Sequence, residues 1–314
     1  MVFGRRSVHL VFGASGQLGY ELARQLGKDS SVVAPGRSEV DFLKPETLTA
    51  AVHQYRPQFV WNAAAATNVD ALESDPILAF QVNADAVGVL AESARRLGSV
   101  LIHFSTDYVF DGSKPGPYGE EDLPHPLNVY GSSKLAGERV IEQVGGRWLA
   151  LRTSWLYSIR GRNFLRAITR KGMDEDRVGV VDDQVGAPTE ASQLARACLV
   201  MCRVLADDAA GRLAGGLYHV AAGGSTTWWE FASAIRDELV GRGARWKAVI
   251  EPISTKLLGR PARRPANSCL ATERFEQTFN ASMLPWRVGL ATMLDEAAEG
   301  WWNDPLPITD PSPA

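Results

Sequence analysis

Cysteine is scarce, with three in 314 residues: Cys198, Cys202 and Cys269. An odd, sparse count excludes a disulfide scaffold and points to a reducing compartment. Cys198 and Cys202 lie four apart in a helical pattern and share a face, but no companion ligands lie nearby. The five histidines (His9, His53, His103, His125, His219) are scattered, so the reading is buried thiols and no metal. Long apolar runs are missing too, and nothing reaches the roughly 18 residues of a membrane span. The apolar run after Arg5 and Arg6 is broken by Gly13 and Gly16, which predicts a first strand and helix rather than a signal peptide. No sign of charge dominates: 33 basic residues face 36 acidic ones, which excludes an electrostatic footprint for nucleic acid. Lysine is rare, since 26 of the 33 basic residues are arginine; most of these are expected on the solvated surface. The expectation is a cytoplasmic protein with neither nucleic acid nor membrane as partner.

What is present is a globular composition, 45% hydrophobic and 22% charged, long enough for one large domain or two unequal ones. Short apolar runs at 8–12, 31–34, 59–61, 100–104 and 148–152 read as strands. Helical spacing covers 17–26, 45–55, a long stretch 76–97, and 128–143. Near-continuous apolar strands alternating with helices mean parallel strands covered on both faces. The predicted fold is α/β: a Rossmann-like doubly wound parallel sheet with a smaller interleaved C-terminal substrate-binding domain. Residues 1–158 form the dinucleotide-binding domain, with elements near 178–222 returning to it. Residues 159–300 form mainly the cap. Residues 301–314, carrying four prolines from Asp304 onward, form a frayed tail. In the cap, helices are expected at 163–171, 189–205 and 228–240, and strands at 178–181 and 217–220.

Gly13-Ala14-Ser15-Gly16-Gln17-Leu18-Gly19 sits between the first strand and the first helix. Glycines there allow a tight turn and close backbone approach to a pyrophosphate, and the helix N-terminus adds N–H groups and a positive dipole end. The spacing is G-x-x-G-x-x-G, and its position after a strand makes it informative. After the second strand, Ala34-Pro35-Gly36-Arg37-Ser38 carries no acid for a ribose hydroxyl. Arg37 suits a 2′-phosphate, so NADPH is expected, with NADH use left open. Tyr130 and Lys134 form a Tyr-x-x-x-Lys pair on one helix face. A nearby ammonium is expected to lower the phenol pKa, and such a tyrosine can donate a proton to a carbonyl as hydride arrives. Ser105-Thr106-Asp107, at the carboxyl end of the fourth strand, offers a hydroxyl to the same carbonyl.

With these residues in this order, the chain resembles the extended short-chain dehydrogenase/reductase superfamily. Further strings narrow the likeness: Asn62 to Thr67 with Val69, Asp70 and Glu73; Ser105 to Gly112; Pro126 to Gly131; Lys134 to Glu138; Arg152 to Trp155; Asp183 to Thr189; and Pro261 to Ser268. Over about residues 8–290 these resemble the dTDP-4-dehydrorhamnose reductase family. The resemblance implies reduction of a 4-keto sugar nucleotide, the dTDP-sugar substrate, to dTDP-L-rhamnose for cell-surface polysaccharide. It implies that Thr106 binds the carbonyl, Tyr130 is the acid, and Lys134 holds the nicotinamide ribose. It sets Asp41 and Phe42 by the adenosine, Ala64, Ala65, Ala66 and Thr67 along the cofactor, and Val69, Asp107 and Trp155 near the sugar. Trp155 would offer a flat apolar face, Arg263 and Arg264 would meet the substrate pyrophosphate, and Asn267 would order their loop. Two positions depart from the family pattern: Ala66 replaces a larger aromatic or His, and Asn68 replaces a frequent Ala. Both bear on affinity rather than on the reaction. Some members dimerise with Mg²⁺ near acidic interface residues; Glu190, Asp295, Glu296 and Glu299 are the loose candidates here, and a homodimer stays open.

Three alternatives are disfavoured. A dehydratase of the superfamily carries Glu after Thr-Asp, where this chain has Tyr108. An epimerase retains its cofactor, which fits poorly with the missing acid after strand two. A non-catalytic binding subunit would not need both Tyr130 and Lys134. Whether the product is rhamnose or its C4 epimer stays open.

Overall fold

The computed structural model describes residues 7–207, 215–298 and 300–303. Strands β1 (Val8–Phe12), β2 (Ser31–Val33), β3 (Phe59–Asn62), β4 (Val100–Thr106) and β5 (Arg147–Thr153) alternate with helices. These are α1 (Gln17–Leu26), α2 (Pro45–Tyr55), α3 (Val69–Leu72), α4 (Pro76–Phe80), α5 (Ala86–Leu97) and α6 (Val129–Val144). Further on lie α7 (Phe164–Asp174), β6 (Arg177–Val181), α8 (Ala191–Asp207), β7 (Gly216–His219), α9 (Trp228–Gly241) and β8 (Val249–Ile253). Six strands form one parallel sheet in the order β7-β5-β4-β3-β1-β2.

Period-two alternation decides which face each strand residue covers. Val11, Trp61, Ile102, Phe104 and Leu151 pack under α1 and α8, against Leu18, Leu22, Leu194 and Met201. Leu10, Phe12, Val60 and Leu101 pack on the other side, against Leu48, Val52, Val87 and Leu90 of α2 and α5. A sheet buried on both faces needs apolar residues at every position, which explains the continuous runs in the sequence. Cys198 and Cys202 lie in the first of these cores as buried thiols pushed far above their ordinary range by desolvation. The cap has its own core, with Leu165, Ile168, Val178, Phe231, Ile235, Trp286 and Leu290 in contact. Among the described residues no helix is long and apolar enough to cross a membrane.

Three features differ from the sequence expectation. The long helix over 76–97 is two helices joined by a π turn at Gln81–Asp85. That turn carries the buried Asn83, whose amide accepts from Ala66 N at 2.9 Å and donates to Ala66 O at 3.0 Å. A side chain that satisfies a neighbouring loop's peptide in this way gives the widened turn its purpose. Second, among the described residues of the returning segment only β7 joins the main sheet. β6 pairs instead with β8, which the sequence reading passed over, as it did the helices Glu273–Phe279 and Trp286–Glu296. Third, Trp301–Asn303 forms a 3-10 turn with Trp301 buried in the cap core, so the frayed tail does not begin at 301. The tail from Asp304 lies outside the described residues.

Candidate active site

In open α/β sheets, ligands bind beyond the carboxyl ends of the strands, where the strand order reverses. Here that point lies between β1 and β3. Gly13 ends β1 with φ +81°, and a Cβ on it would lie 2.6 Å from Ala64 N on the turn after β3. Gly19 packs its α-carbon face against the Gly13 carbonyl, so both positions exclude a side chain. α1 starts at Gly16 with no side-chain cap, and Ser15 and Gly16 are exposed. Its first N–H groups are therefore free to meet an anion, and the cradle fits a dinucleotide pyrophosphate. Gly13→Ala should cost about 2 kcal/mol through its left-handed backbone alone, and more through the clash. The expected result is a lower melting temperature and NADPH binding weakened at least tenfold in a fluorescence titration; unchanged binding would contradict this geometry.

The rest of the cradle is mixed. Leu18 packs into the core, so it meets a ligand only through its backbone. The Gln17 side chain turns to the cap, accepting from Asn163 Nδ2 at 2.9 Å and Ser158 Oγ at 3.3 Å. Phe42 lies edge-on to Phe12, 6.0 Å away at the end of β1. The Asp41 carboxylate accepts Leu43 N at 2.9 Å. Arg37 is exposed on the turn after β2. An acid follows closely after all: Glu39 Oε1 accepts Gly36 N at 3.1 Å, one residue beyond the segment in which no acid was found. Ala64 and Ala65 are half-buried, Ala66 is buried and fixed by Asn83, and Thr67 is exposed.

Thr106 closes β4 and is buried. Its hydroxyl donates to Asp107 Oδ1 at 3.0 Å, accepts from Tyr108 N at 3.2 Å, and lies beside the Tyr130 phenol. Tyr130 sits in the first turn of α6, which Asn128 caps by accepting Gly131 N at 2.7 Å. Burial pushes the Tyr130 phenol up to about 12; Thr106 pulls it down and Asp107 pushes it further up. The expectation that Lys134 lowers this pKa does not hold. Its Nζ lies 3.2 Å from His103 Nε2, and desolvation of the phenolate dominates at Tyr130. Lys134 itself is drawn down to about 7 by burial, with Glu138 drawing it partly back. Asp107 is pushed up to about 7, also by burial, against the downward pull of Ser268 and Thr106 beside it.

The cap side corrects two expectations. Trp155 does not present an open face: it stacks on Trp228 with ring centroids 3.6 Å apart and planes 6° apart, and Trp228 in turn meets Phe164 at 4.5 Å. Trp155 holds φ +45°, strained for a tryptophan, and packs so closely on Gly186 that no side chain fits there. Two stacked indoles desolvate each other better than either is covered alone. Arg264 does not point free for an anion. It forms a two-pronged pair with Asp70 of α3, at 3.0 Å on each prong, and lies near Tyr108. A carboxylate fitting both arms of the guanidinium is the strongest partner within reach. Arg263 is exposed, and its carbonyl accepts from Asn128 Nδ2 at 2.8 Å. Asn267 Nδ2 donates to Lys114 O and Gly116 O, tying the loop down. Val69, half-buried, opens α3 beside Asp70.

The sequence reading missed Asn83, Trp228, His103 and the buried pair of Arg152 and Glu138. One signal existed: Glu138 stands four residues after Lys134, on the same helix face. The Mg²⁺ candidates have other duties. Glu190 caps α8 by accepting Ser192 N and Gln193 N, Asp295 pairs with Arg242, and Glu296 pairs with Arg196. Glu299 lies outside the described residues, and among those described no cluster of three ligands could hold a metal.

The family described as the RmlD substrate binding domain matches residues 8–299. A dTDP-4-dehydrorhamnose reductase from Burkholderia thailandensis is 44% identical over 294 residues, 90% of this chain and 96% of its own. One from Shigella flexneri is 39% identical over 292 residues, 91% of this chain and 97% of its own. The crystal structure of dTDP-4-dehydrorhamnose reductase from Bacillus anthracis in complex with NADP superposes with a TM-score of 0.84 at 31% identity, covering 93% of this chain and all of that one. Matched over nine-tenths of its length at such identities, the chain belongs to the dTDP-4-dehydrorhamnose reductase family.

Proposed function

We propose that the protein uses NADPH to reduce the C4 carbonyl of dTDP-4-dehydro-L-rhamnose, giving dTDP-L-rhamnose. The observation that carries this is the placing of Tyr130 beside Thr106 at the carboxyl end of β4, next to the crevice at the switch point. The Gly13–Gly19 loop and the start of α1 would hold the pyrophosphate, Asp41 and Phe42 would border the adenosine, and Arg37 would meet the 2′-phosphate. Ala64 to Thr67 would line the nicotinamide side. When bound, the reduced nicotinamide supplies the hydride. Thr106 and Tyr130 hydrogen-bond the sugar O4, and Tyr130 passes its proton there as negative charge develops. A phenol held near 12 keeps that proton at neutral pH until an acceptor of rising basicity reaches it. Lys134 binds the nicotinamide ribose hydroxyls, and solvent reprotonates the phenolate left on Tyr130. Val69, Asp107 and the edge of Trp155 border the sugar, while Arg263 and Arg264 lie on the loop that meets the substrate diphosphate. The three unpaired thiols suit the reducing cytoplasm.

The test is loss of reduced-nicotinamide absorbance with dTDP-6-deoxy-L-lyxo-4-hexulose, run with NADPH and NADH separately, with the product sugar identified by NMR. Oxidation with release of dTDP-L-rhamnose is expected, faster with NADPH. The C4 epimer as product would keep the mechanism and change the product. No oxidation by folded protein that still binds NADPH would overturn the reading.

A further inference from the structure

We propose that His103 is a positioning residue that holds Lys134 for the reaction, acting as a one-way hydrogen-bond acceptor whose tautomer is set by Asn62. This rests on the reductase reading above for what Lys134 does, but not for the geometry. His103 lies in the middle of β4, wholly buried, with the opposite face of its strand turned to α1 and α8. Its Nε2 is 3.2 Å from Lys134 Nζ on α6, and its Nδ1 is 3.0 Å from Asn62 Nδ2 on β3.

The donor and acceptor inventory leaves one consistent assignment. With Lys134 as an ammonium, which only donates, and a neutral imidazole carrying one proton, Nε2 accepts and Nδ1 bears the hydrogen. Nδ1–H then needs an acceptor, and the Asn62 oxygen is the atom that serves. That oxygen has no partner where it now stands, and a half-turn of the amide brings it to Nδ1. The second ring nitrogen thereby fixes the first. Asn62 is also the last residue of β3, immediately before Ala63 and Ala64 of the cofactor cradle. The chain of contacts therefore ties the cradle to the lysine across two neighbouring strands.

The charged surroundings make the acceptor matter. Lys134 and Glu138 reach this pocket from α6, and Arg152, paired to Glu138, from β5; β3 contributes the neutral Asn62. Burial and the Lys134 charge hold His103 well below its usual range, which favours the neutral ring. Lys134 is poised near neutrality, where one hydrogen bond decides between ammonium and amine.

Two substitutions and one direct reading test this. His103→Met keeps the volume and removes the acceptor; His103→Gln puts an amide oxygen near the place of Nε2. For the Met variant we expect kcat/KM to fall about tenfold, the size of one charge-assisted hydrogen bond. Its alkaline limb should move about one pH unit lower, because an ammonium without its acceptor loses its proton sooner. The Gln variant should recover most of both. Lysine labelled with carbon-13 at Cε, its Lys134 signal assigned by a Lys134→Met control among the seven lysines, should titrate about one unit lower in the Met variant. Met and Gln variants equally impaired, or a folded Met variant with an unmoved Lys134 titration, would overturn the proposal. If neither variant folds, nitrogen-15 histidine spectra of the unaltered protein decide: the Nδ1–H tautomer at His103 is required, and an Nε2–H tautomer refutes it. The spectra and titrations need no sugar substrate. A protein that never oxidises NADPH would sink the reductase reading while leaving these readouts intact.

Discussion

Tyr130→Phe should cut turnover by about 100- to 10,000-fold, the usual contribution of a positioned general acid. The change removes one oxygen and leaves the ring. That ring, edge-on to Tyr108 at 6.0 Å, is half-buried and keeps its packing, so the fold and melting temperature should barely move. The cofactor cradle rests on Gly13, Gly19 and Ala66, none of which needs the hydroxyl, so NADPH affinity should stay within about threefold of wild type. The loss should fall on kcat rather than on substrate KM, because the proton moves only as hydride arrives. Steady-state kinetics together with a cofactor titration check this. Full turnover in the Phe variant would remove Tyr130 from the acid role and turn attention to Asp107, whose carboxyl burial pushes up to about 7.

Arg152→Met should be the costliest single change to stability, at about 3–5 kcal/mol, because it leaves a buried carboxylate without its cation. Arg152 is 2% exposed and its guanidinium donates to both oxygens of Glu138, at 2.9 Å and 2.7 Å. The Ser105 hydroxyl bonds the same carboxylate, the Phe110 ring lies 5.0 Å from the guanidinium, and His219 Nε2 lies 3.4 Å from it. A loss of this size takes a large part of the roughly 5–15 kcal/mol that holds a protein folded. The double variant Arg152→Met, Glu138→Leu should recover much of it, since no unpaired charge then remains buried. Urea unfolding at pH 7 of the wild type, both single variants and the double variant measures the coupling. A cost below about 1 kcal/mol for Arg152→Met would mean that water reaches Glu138.

The legible part of the fold follows from local rules. β1, α1, β3 and β5 announce themselves because a strand covered on both faces is apolar throughout, and a helix beside it is apolar every three or four residues. The continuous helix expected over 76–97 fails for a tertiary reason. Asn83 turns inward to take the Ala66 peptide, and the backbone widens to let it do so. β8 and the helices after residue 272 escape notice because they are short and bury only a few residues each, Ile250 and Leu290 in the cap core and Phe275 and Phe279 in the core under α8.

The site divides in the same way. Sequence alone determined the nucleotide cradle and the Tyr130–Lys134 face, because a left-handed glycine turn and a four-residue helical spacing are properties of neighbouring residues. Tertiary structure decided which partner each charged or aromatic side chain takes. Arg264 goes to Asp70 across 194 positions, Lys134 to His103 across 31, and Arg152 to Glu138 across 14, while Trp155 finds Trp228. It also decided the protonation of the site, since the phenol near 12, the amine near 7 and the carboxyl near 7 are set by how much water the fold removes. Desolvation depends on every element packed around a group, and no spacing along the chain records it.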